Sequence, residues 1–146
     1  MIEDVSESNL NELLPLIRRY QEFYGIDSIC DKKNYDFFSR FGAETDIGCQ
    51  FVWREAEKVV GFATVYLTFT STITAKVAVL NDLYVLPDYR GRGVGRKLIE
   101  HCRAFARIKG AARLQWVTAP ENTEAQRLYD LVNARKSSWY FYAYDV

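Results

Sequence analysis

Between residues 83 and 98 the chain reads Leu-Tyr-Val-Leu-Pro-Asp-Tyr-Arg-Gly-Arg-Gly-Val-Gly-Arg-Lys-Leu, with glycines at 91, 93 and 95. An apolar strand segment breaks at Pro87-Asp88, and an amphipathic helix begins beyond the glycines. Glycine lets a turn aim its N–H groups at one point with no Cβ in the way. The helix behind it adds unpaired N–H groups and the positive end of its dipole. A turn so built can cradle a phosphate or pyrophosphate. Two common phosphate loops do not fit. A Walker loop needs Gly-Lys-Ser/Thr, so that a hydroxyl can hold magnesium, and here Gly95 is followed by Arg96-Lys97-Leu98. A dinucleotide fingerprint needs its third glycine three positions after the second, and an acid about 20 residues on. Here the third glycine comes two positions on, and residues 107–113 hold no acid.

A second stretch follows about 30 residues later, Asn122-Thr-Glu-Ala-Gln-Arg-Leu-Tyr129, behind the strand-like residues 113–119. On a helix, Asn122, Ala125 and Tyr129 lie three and four positions apart and share a face. Each stretch alone has a plain structural explanation: a tight turn, a helix capped by Asn122, a packed tyrosine with its hydroxyl wet. Their succession is more specific. Arg90-x-x-Gly93-x-Gly95, then Asn122 and Tyr129, resembles the GNAT superfamily of acetyl-CoA-dependent N-acetyltransferases, and the likeness covers residues 75–142.

The resemblance implies an α+β (mixed α/β) fold: a central twisted, mostly antiparallel sheet with helices on both faces. It implies that strands 79–85 and 113–118 splay apart and that the pantetheine arm of coenzyme A lies in the gap. Acetyl-CoA would be the co-substrate, with no metal. Main-chain groups of Leu83, Tyr84 and Val85 would meet the thioester carbonyl and the pantetheine. The N–H groups of Arg90, Gly91, Arg92, Gly93, Val94, Gly95 and Arg96 would hold the pyrophosphate. Asn122 would contact the pantetheine, and Tyr129 would face the sulfur.

Acetyl transfer sets the remaining requirements. A primary amine has a pKa near ~10.4, so its attacking neutral form is scarce at pH 7. Something must take the proton, something must steady the departing thiolate, and the thioester carbonyl needs a hydrogen bond as charge builds on it. A phenol near ~10 protonating a thiolate near ~8.5 works uphill by roughly 2 kcal/mol. Tyr129 is therefore expected to act chiefly as a hydrogen-bond donor. Many relatives carry a glutamate two positions before the residue matching Leu83; here that position is Asn81. Strand alternation turns the neighbouring Asp82 to the opposite face from Asn81, Leu83 and Val85. Three bases stay open: a water held by Asn81, Asp82 if the strand bulges, or an acid from the N-terminal helices.

Acceptor recognition is expected in residues 20–40. Tyr20-Gln-Glu-Phe-Tyr24 and the aromatic residues 139–142 resemble the small-amine, polyamine and yeast histone-type members of the family. Glu22 and Tyr24 could hold a cationic amine by charge and cation–π contact. The expected partner is a small-molecule amine, a protein lysine being the larger form of the same chemistry. Such relatives are often homodimers, and an aromatic C-terminal strand is compatible with that. Asn81 in place of a glutamate is what a non-catalytic acetyl-CoA-binding or protein-interaction module on this fold would carry.

The elements that must position these residues follow from periodicity. Residues 1–5 read as a short edge strand. Leu10, Leu13, Leu14, Ile17 and Tyr20 mark a helix to Tyr24-Gly25, with Pro15 as a kink or a delayed start. Residues 32–41 read as a second helix closed by Gly42. Residues 49–54, 59–69 and 76–85 read as strands. Leu98, Cys102, Phe105 and Ala106 mark a helix that ends at Lys109-Gly110. Strand 113–118, helix 122–132 and a last strand over 138–144 complete a single domain, residues 1–146.

Composition agrees with that economy. The chain has 146 residues, 49% hydrophobic and 26% charged, enough for one sizeable core. No apolar run approaches the ~20 residues of a membrane span. The acidic N-terminus lacks the apolar segment of a secretion signal, so a cytoplasmic location is expected. Three scattered cysteines and one histidine argue against a zinc site or disulfide framework. Net charge is zero, yet residues 1–60 hold 12 acids and 7 bases while residues 86–146 hold 6 acids and 11 bases. The basic half suits a polyanionic cofactor and the acidic half a cationic acceptor. The basic residues near the glycines form one loop without a groove-reading helix, which excludes nucleic acid.

Overall fold

Leu10, Leu13, Leu16 and Ile17 recur at helical spacing and are all buried, and that stripe organises helix α1, Leu10–Phe23. Pro15 lies inside α1 without ending it; the helix forgoes one bond to the Asn11 carbonyl. Asn9 accepts the Ser6 N–H at 2.9 Å and donates to the Asp4 carbonyl at 3.1 Å, tethering the start of α1 to the strand before it. The computed structural model describes residues 1–146 throughout.

Five strands form one sheet in the order β1 (Ile2–Asp4), β2 (Gly48–Glu55), β3 (Lys58–Thr70), β4 (Ala75–Val85) and β5 (Leu114–Gln115). The first four pair antiparallel, and β5 runs parallel to β4. A parallel neighbour needs a long crossover, which helix α3 (Val94–Ile108) supplies. Helices α1 and α2 (Asp31–Phe38) cover one face of the sheet, α3 and α4 (Thr123–Leu131) the other. The central strand β3 is buried on both faces and therefore reads as a near-continuous apolar run. Phe62 meets α1 in one core cluster, and Ala63 and Val65 meet α3 in the other.

Polar contacts fix the helices on this frame. Gln21 and Asn34 exchange side-chain amide bonds at 2.9 and 2.8 Å and join α1 to α2. Arg54 of β2 reaches Glu3 of β1 and Glu12 of α1, each at 2.7 Å. Cys49 and Cys102 are buried in the α3-side core and Cys30 is exposed, all three as free thiols. No helix is long and apolar enough to cross a membrane.

Two expected strands differ from the structure. Regular pairing of 113–118 is confined to Leu114–Gln115, because β5 diverges from β4 after Val79. Residues 138–144 form no strand: residues 135–146 make no main-chain hydrogen bond, and Trp139, Tyr140, Phe141, Tyr142 and Tyr144 are at least 86% exposed. A strand needs an edge to pair with, and this segment leaves α4 through Asn133 at φ 58° without returning to the sheet. The helix expected over 32–41 stops at Phe38.

Phe62 is fully buried and packs edge-on against Tyr20 of α1, centroids 5.7 Å apart. Phe62→Ala should cost about 3–5 kcal/mol, read as a lowered urea midpoint at an unchanged m-value.

Candidate active site

The glycine turn is built as its sequence suggests. Gly91 and Gly93 sit at φ 74° and 82°, in the left-handed region, and Gly93 precedes the first residue of α3. Arg90 N–H closes a single 3-10 turn on the Pro87 carbonyl, and the next main-chain donor with a partner is Lys97, which bonds the Gly93 carbonyl at 3.1 Å. The six amides of residues 91–96 in between donate to nothing in the chain. They stand at the N-terminus of a 15-residue helix, where the dipole adds to their pull on an anion. The loop arginines brace it from outside. Arg90 Nε donates to the Val85 carbonyl at 2.9 Å, and an Arg92 Nη donates to the Asp88 carbonyl at 2.8 Å. Gly95 answers to packing: a Cβ there would come within 3.0 Å of Leu128 Cδ2 on α4.

Beside the loop, β4 and β5 part. They pair only at Ala78–Leu114 and Val79–Gln115. From Leu80 on, the edge of β4 facing β5 has no strand partner, and residues 116–118 make no main-chain hydrogen bond at all. The gap is a narrow cleft lined by Leu80, Asn81, Leu83, Trp116 and Val117, with three tyrosines, 20, 24 and 129, at its sides. Two aromatic pairs frame it: Tyr20–Tyr24 at 4.9 Å and Trp116–Tyr129 at 5.2 Å, both edge-on. Burial, with a smaller contribution from nearby Tyr24, holds the Tyr129 phenol above its ordinary pKa. It stays protonated at neutral pH and can donate a hydrogen bond into the cleft.

The strand does bulge. Thr64 pairs with Asp82 while the next residue, Val65, pairs with Leu80, so Asn81 is the extra residue in β4. Leu83 and Val85 pack on the α3 side together with Leu80, whereas Tyr84 packs on the α1 side. Asp82 points the same way as Tyr84 and is 6% exposed. Its carboxylate takes the Asn81 side-chain N–H at 3.0 Å, and the neighbouring Thr64 and Tyr20 hydroxyls also favour its charged form. The Tyr20 hydroxyl also reaches the Asn81 carbonyl at 3.5 Å. Burial raises the Asp82 pKa, and these polar neighbours offset the rise only in part. Thr64 is also bonded by Gln50 Nε2 at 3.4 Å, and Gln50 Oε1 is buried without a partner. Gln50, Thr64 and Asp82 thus form a buried polar row across three strands in register.

The expected site residues divide as follows. Asn81, Leu83, Tyr24 and Tyr129 meet in the cleft, with Asp82 directly behind Asn81. Residues 91–96 ring the helix end nearby. Tyr84 turns its side chain into the α1 core, leaving only main chain for a ligand. Asn122 caps α4, its Oδ1 accepting the Ala125 N–H at 3.3 Å, and its amide nitrogen has no partner. Glu22 is exposed and does not line the cleft. Tyr20, expected among the acceptor-side aromatics, lines the cleft, while Trp116, Thr64 and Gln50 belong to the site or its support without having stood out in the sequence. A glutamine inside the apolar run Cys49-Gln-Phe-Val-Trp was the available signal.

An anion cradle, a strand gap and a phenol across it are a combination that comparison can test. Residues 12–132 match the model of the acetyltransferase (GNAT) family. This chain is a GNAT-family acetyltransferase. It is 30% identical over 129 residues to the uncharacterized N-acetyltransferase YhfO of Bacillus subtilis (strain 168), covering 88% of this chain and 85% of that protein. A shorter stretch of 78 residues is 41% identical to the D-amino-acid N-acetyltransferase HPA3 of Saccharomyces cerevisiae, covering 53% of this chain and 48% of that one. The thialysine N-epsilon-acetyltransferase of Mus musculus is 35% identical over 77 residues, 53% of this chain and 45% of that one. These last matches thus span about half of each relative. The crystal structure of a probable acetyltransferase superposes with TM-score 0.85 at 26% identity, over 100% of this chain and 97% of that one. As a GNAT enzyme the chain is an acetyl-CoA-dependent acetyltransferase, and its fold is the mixed α+β fold of that family.

The buried Asp82 ties stability to pH. Its folded-state pKa lies above the unfolded value, so its ionised form weighs against folding as pH rises through the folded value. Below the unfolded pKa the two states bind that proton alike. Asp82→Asn should therefore raise the melting temperature of this acetyltransferase at pH 8 and leave it nearly unchanged at pH 3.5, read by thermal scans at both values.

Proposed function

We propose that this acetyltransferase moves the acetyl group of acetyl-CoA to the primary amine of a small, cationic or lysine-like acceptor, by direct attack with both substrates bound together. The observation that carries the reading is the run of six unpartnered amides at residues 91–96, beside a strand gap that ends at Tyr129. The amides suit a pyrophosphate, the open edge of β4 suits a pantetheine arm, and the main chain at Leu83 and Val85 would supply the donors a thioester carbonyl needs. The free amide nitrogen of Asn122 is available to the same arm. None of the three cysteines lines the cleft, which favours direct attack over an acyl-cysteine route.

The acceptor side is argued from the aromatics. Tyr20, Tyr24 and Trp116 offer ring faces to an ammonium group, and Asp82 places a carboxylate just behind Asn81. The names of two relatives specify amines of amino-acid type, thialysine and D-amino acids, which fits a compact charged acceptor. Glu22 would then act at the rim, drawing a cation inward. A water held between Asn81 and the Tyr20 hydroxyl would take the amine proton and pass it to Asp82. Tyr129 would donate to the leaving sulfur. A cytoplasmic setting and a homodimeric state fit the same reading.

Three measurements bear on it. Isothermal titration with acetyl-CoA or CoA should show binding; no heat with either would end the proposal. Tyr129→Phe should lower the turnover number by roughly 10²-fold with an intact fold, and near-normal turnover would remove the phenol from the mechanism. The third is a pH profile. Activity of the parent should fall with acid more steeply than protonation of the amine alone requires, since Asp82 must be ionised to accept a proton. The kcat/KM of Asp82→Asn should be lower and should follow the amine alone; a variant with the parent's acid limb would exclude Asp82 as the base.

A further inference from the structure

Gln50 occupies a place in the core where an apolar side chain would pack as well. It is fully buried in β2 between the buried Cys49 and Phe51. Its Oε1 is the one buried side-chain polar atom of the chain without a partner. A buried amide left half unpaired weighs against folding. Its Nε2 makes a single bond, to the Thr64 hydroxyl oxygen at 3.4 Å. Thr64 is fully buried too, and it pairs with Gln50 in the β2–β3 ladder. Asp82 comes next in the row, paired with Thr64 across the β3–β4 ladder.

A threonine hydroxyl carries one proton and two lone pairs. Once an N–H bonds the oxygen, the proton turns to another acceptor, and the charged one beside it is Asp82. Burial opposes the ionised form of Asp82, and among its neighbours the Thr64 hydroxyl does most to favour it. In the sheet β3 flanks β4 on the side away from β5. Thr64 and Gln50 therefore act from behind, while Asn81, which lines the cleft, donates to Oδ1 at 3.0 Å. A carboxylate offers about four lone-pair sites, so bonds from both directions leave room for a water. The titratable groups around Asp82 are phenols: Tyr20 and Tyr24 from α1, Tyr66 from β3 and Tyr84 from β4 itself. Burial, and then the charge on Asp82, pushes Tyr66 up to about 12 and raises Tyr20 as well. Both stay neutral where a carboxyl titrates. Arg40, just past α2, acts on Tyr66.

We propose that Gln50 is a positioning residue for Asp82: its amide N–H takes the Thr64 hydroxyl oxygen, commits the threonine proton to the carboxylate, and keeps that acid in its proton-accepting form. The orphaned Oε1 is what this arrangement leaves over. Turning the amide round would pair that oxygen with the Thr64 proton and take the proton from Asp82. The bearing on acetyl transfer rests on the reading of Asp82 as the base, whereas the polar row itself does not.

Two readouts separate the row from the reaction. A carbon-13 NMR titration of the Asp82 carboxyl in the free protein reads the row alone. The acid limb of kcat/KM, with acetyl-CoA and thialysine, reads the reaction. Gln50→Leu should fold with an equal or higher melting temperature, since it removes a half-paired buried amide. The Asp82 midpoint should nevertheless rise by roughly half to one pH unit. Thr64→Val keeps the shape and loses the hydroxyl, so it should raise the midpoint at least as far. Adding Gln50→Leu to it should bring no further rise, because the amide acts through the hydroxyl. An unmoved midpoint in Gln50→Leu would overturn the proposal, as would a full second rise in the double variant. Should Gln50→Leu fail to fold, Gln50→Met carries the same test. A midpoint that moves while the acid limb of kcat/KM stays put would remove Asp82 as the base and leave the positioning intact.

Discussion

The early end of the β4–β5 ladder is the constraint on which the site depends. Two residue pairs hold the parallel strands together, and beyond Val79 and Gln115 they separate. Had the ladder continued, β4 would have spent its edge donors and acceptors on β5, and Trp116 to Thr118 would lie against Leu80 to Asp82. The parting instead leaves polar main chain facing a gap whose walls are aromatic. It also brings the N-terminus of α3 and the Tyr129 face of α4 to the same region, because both helices pack on the sheet beside the divergence. The contact of Gly95 with Leu128 sets how closely those two helices lie.

The bulge at Asn81 works with that parting. One added residue exchanges the faces of β4, so that Leu80 joins Leu83 and Val85 against α3 while Asp82 joins Tyr84 beneath α1. A carboxylate is thereby drawn into a nearly dry place, next to Thr64 and Tyr20. Burying a charge is tolerated only with hydrogen bonds to it, and Asp82 has one from Asn81, with the Thr64 and Tyr20 hydroxyls close by. Its raised pKa is the residue of that incomplete compensation.

Much of this was legible from residue types. The glycine spacing gave the left-handed turn and the start of α3, and the apolar stripes gave α1 and α3 nearly residue by residue. The bulge was legible only as an alternative, since a strand's register is set by its partner and not by its own sequence. Gln50 and Thr64 are polar residues at core positions, and their meaning appears only when three strands place them in a row. Residues 138–144 read as a strand because their composition is that of one. Composition carries no information about which edge a strand will use. The charge bias was read more simply than the loop is built. Arg90 and Arg92 turn back onto the Val85 and Asp88 carbonyls and onto the rings of Tyr84 and Tyr89, so they stiffen the turn and leave its amides in front.

The three thiols are unequally placed. Burial pushes the Cys49 thiol up to about 12 and raises that of Cys102 as well, while Cys30 sits in the open before α2. Thiolate, not thiol, reacts with maleimides and similar reagents. A fluorophore or spin label offered to the native protein would therefore go to one site, at the start of α2 on the α1–α2 side of the sheet, with no engineering of the core.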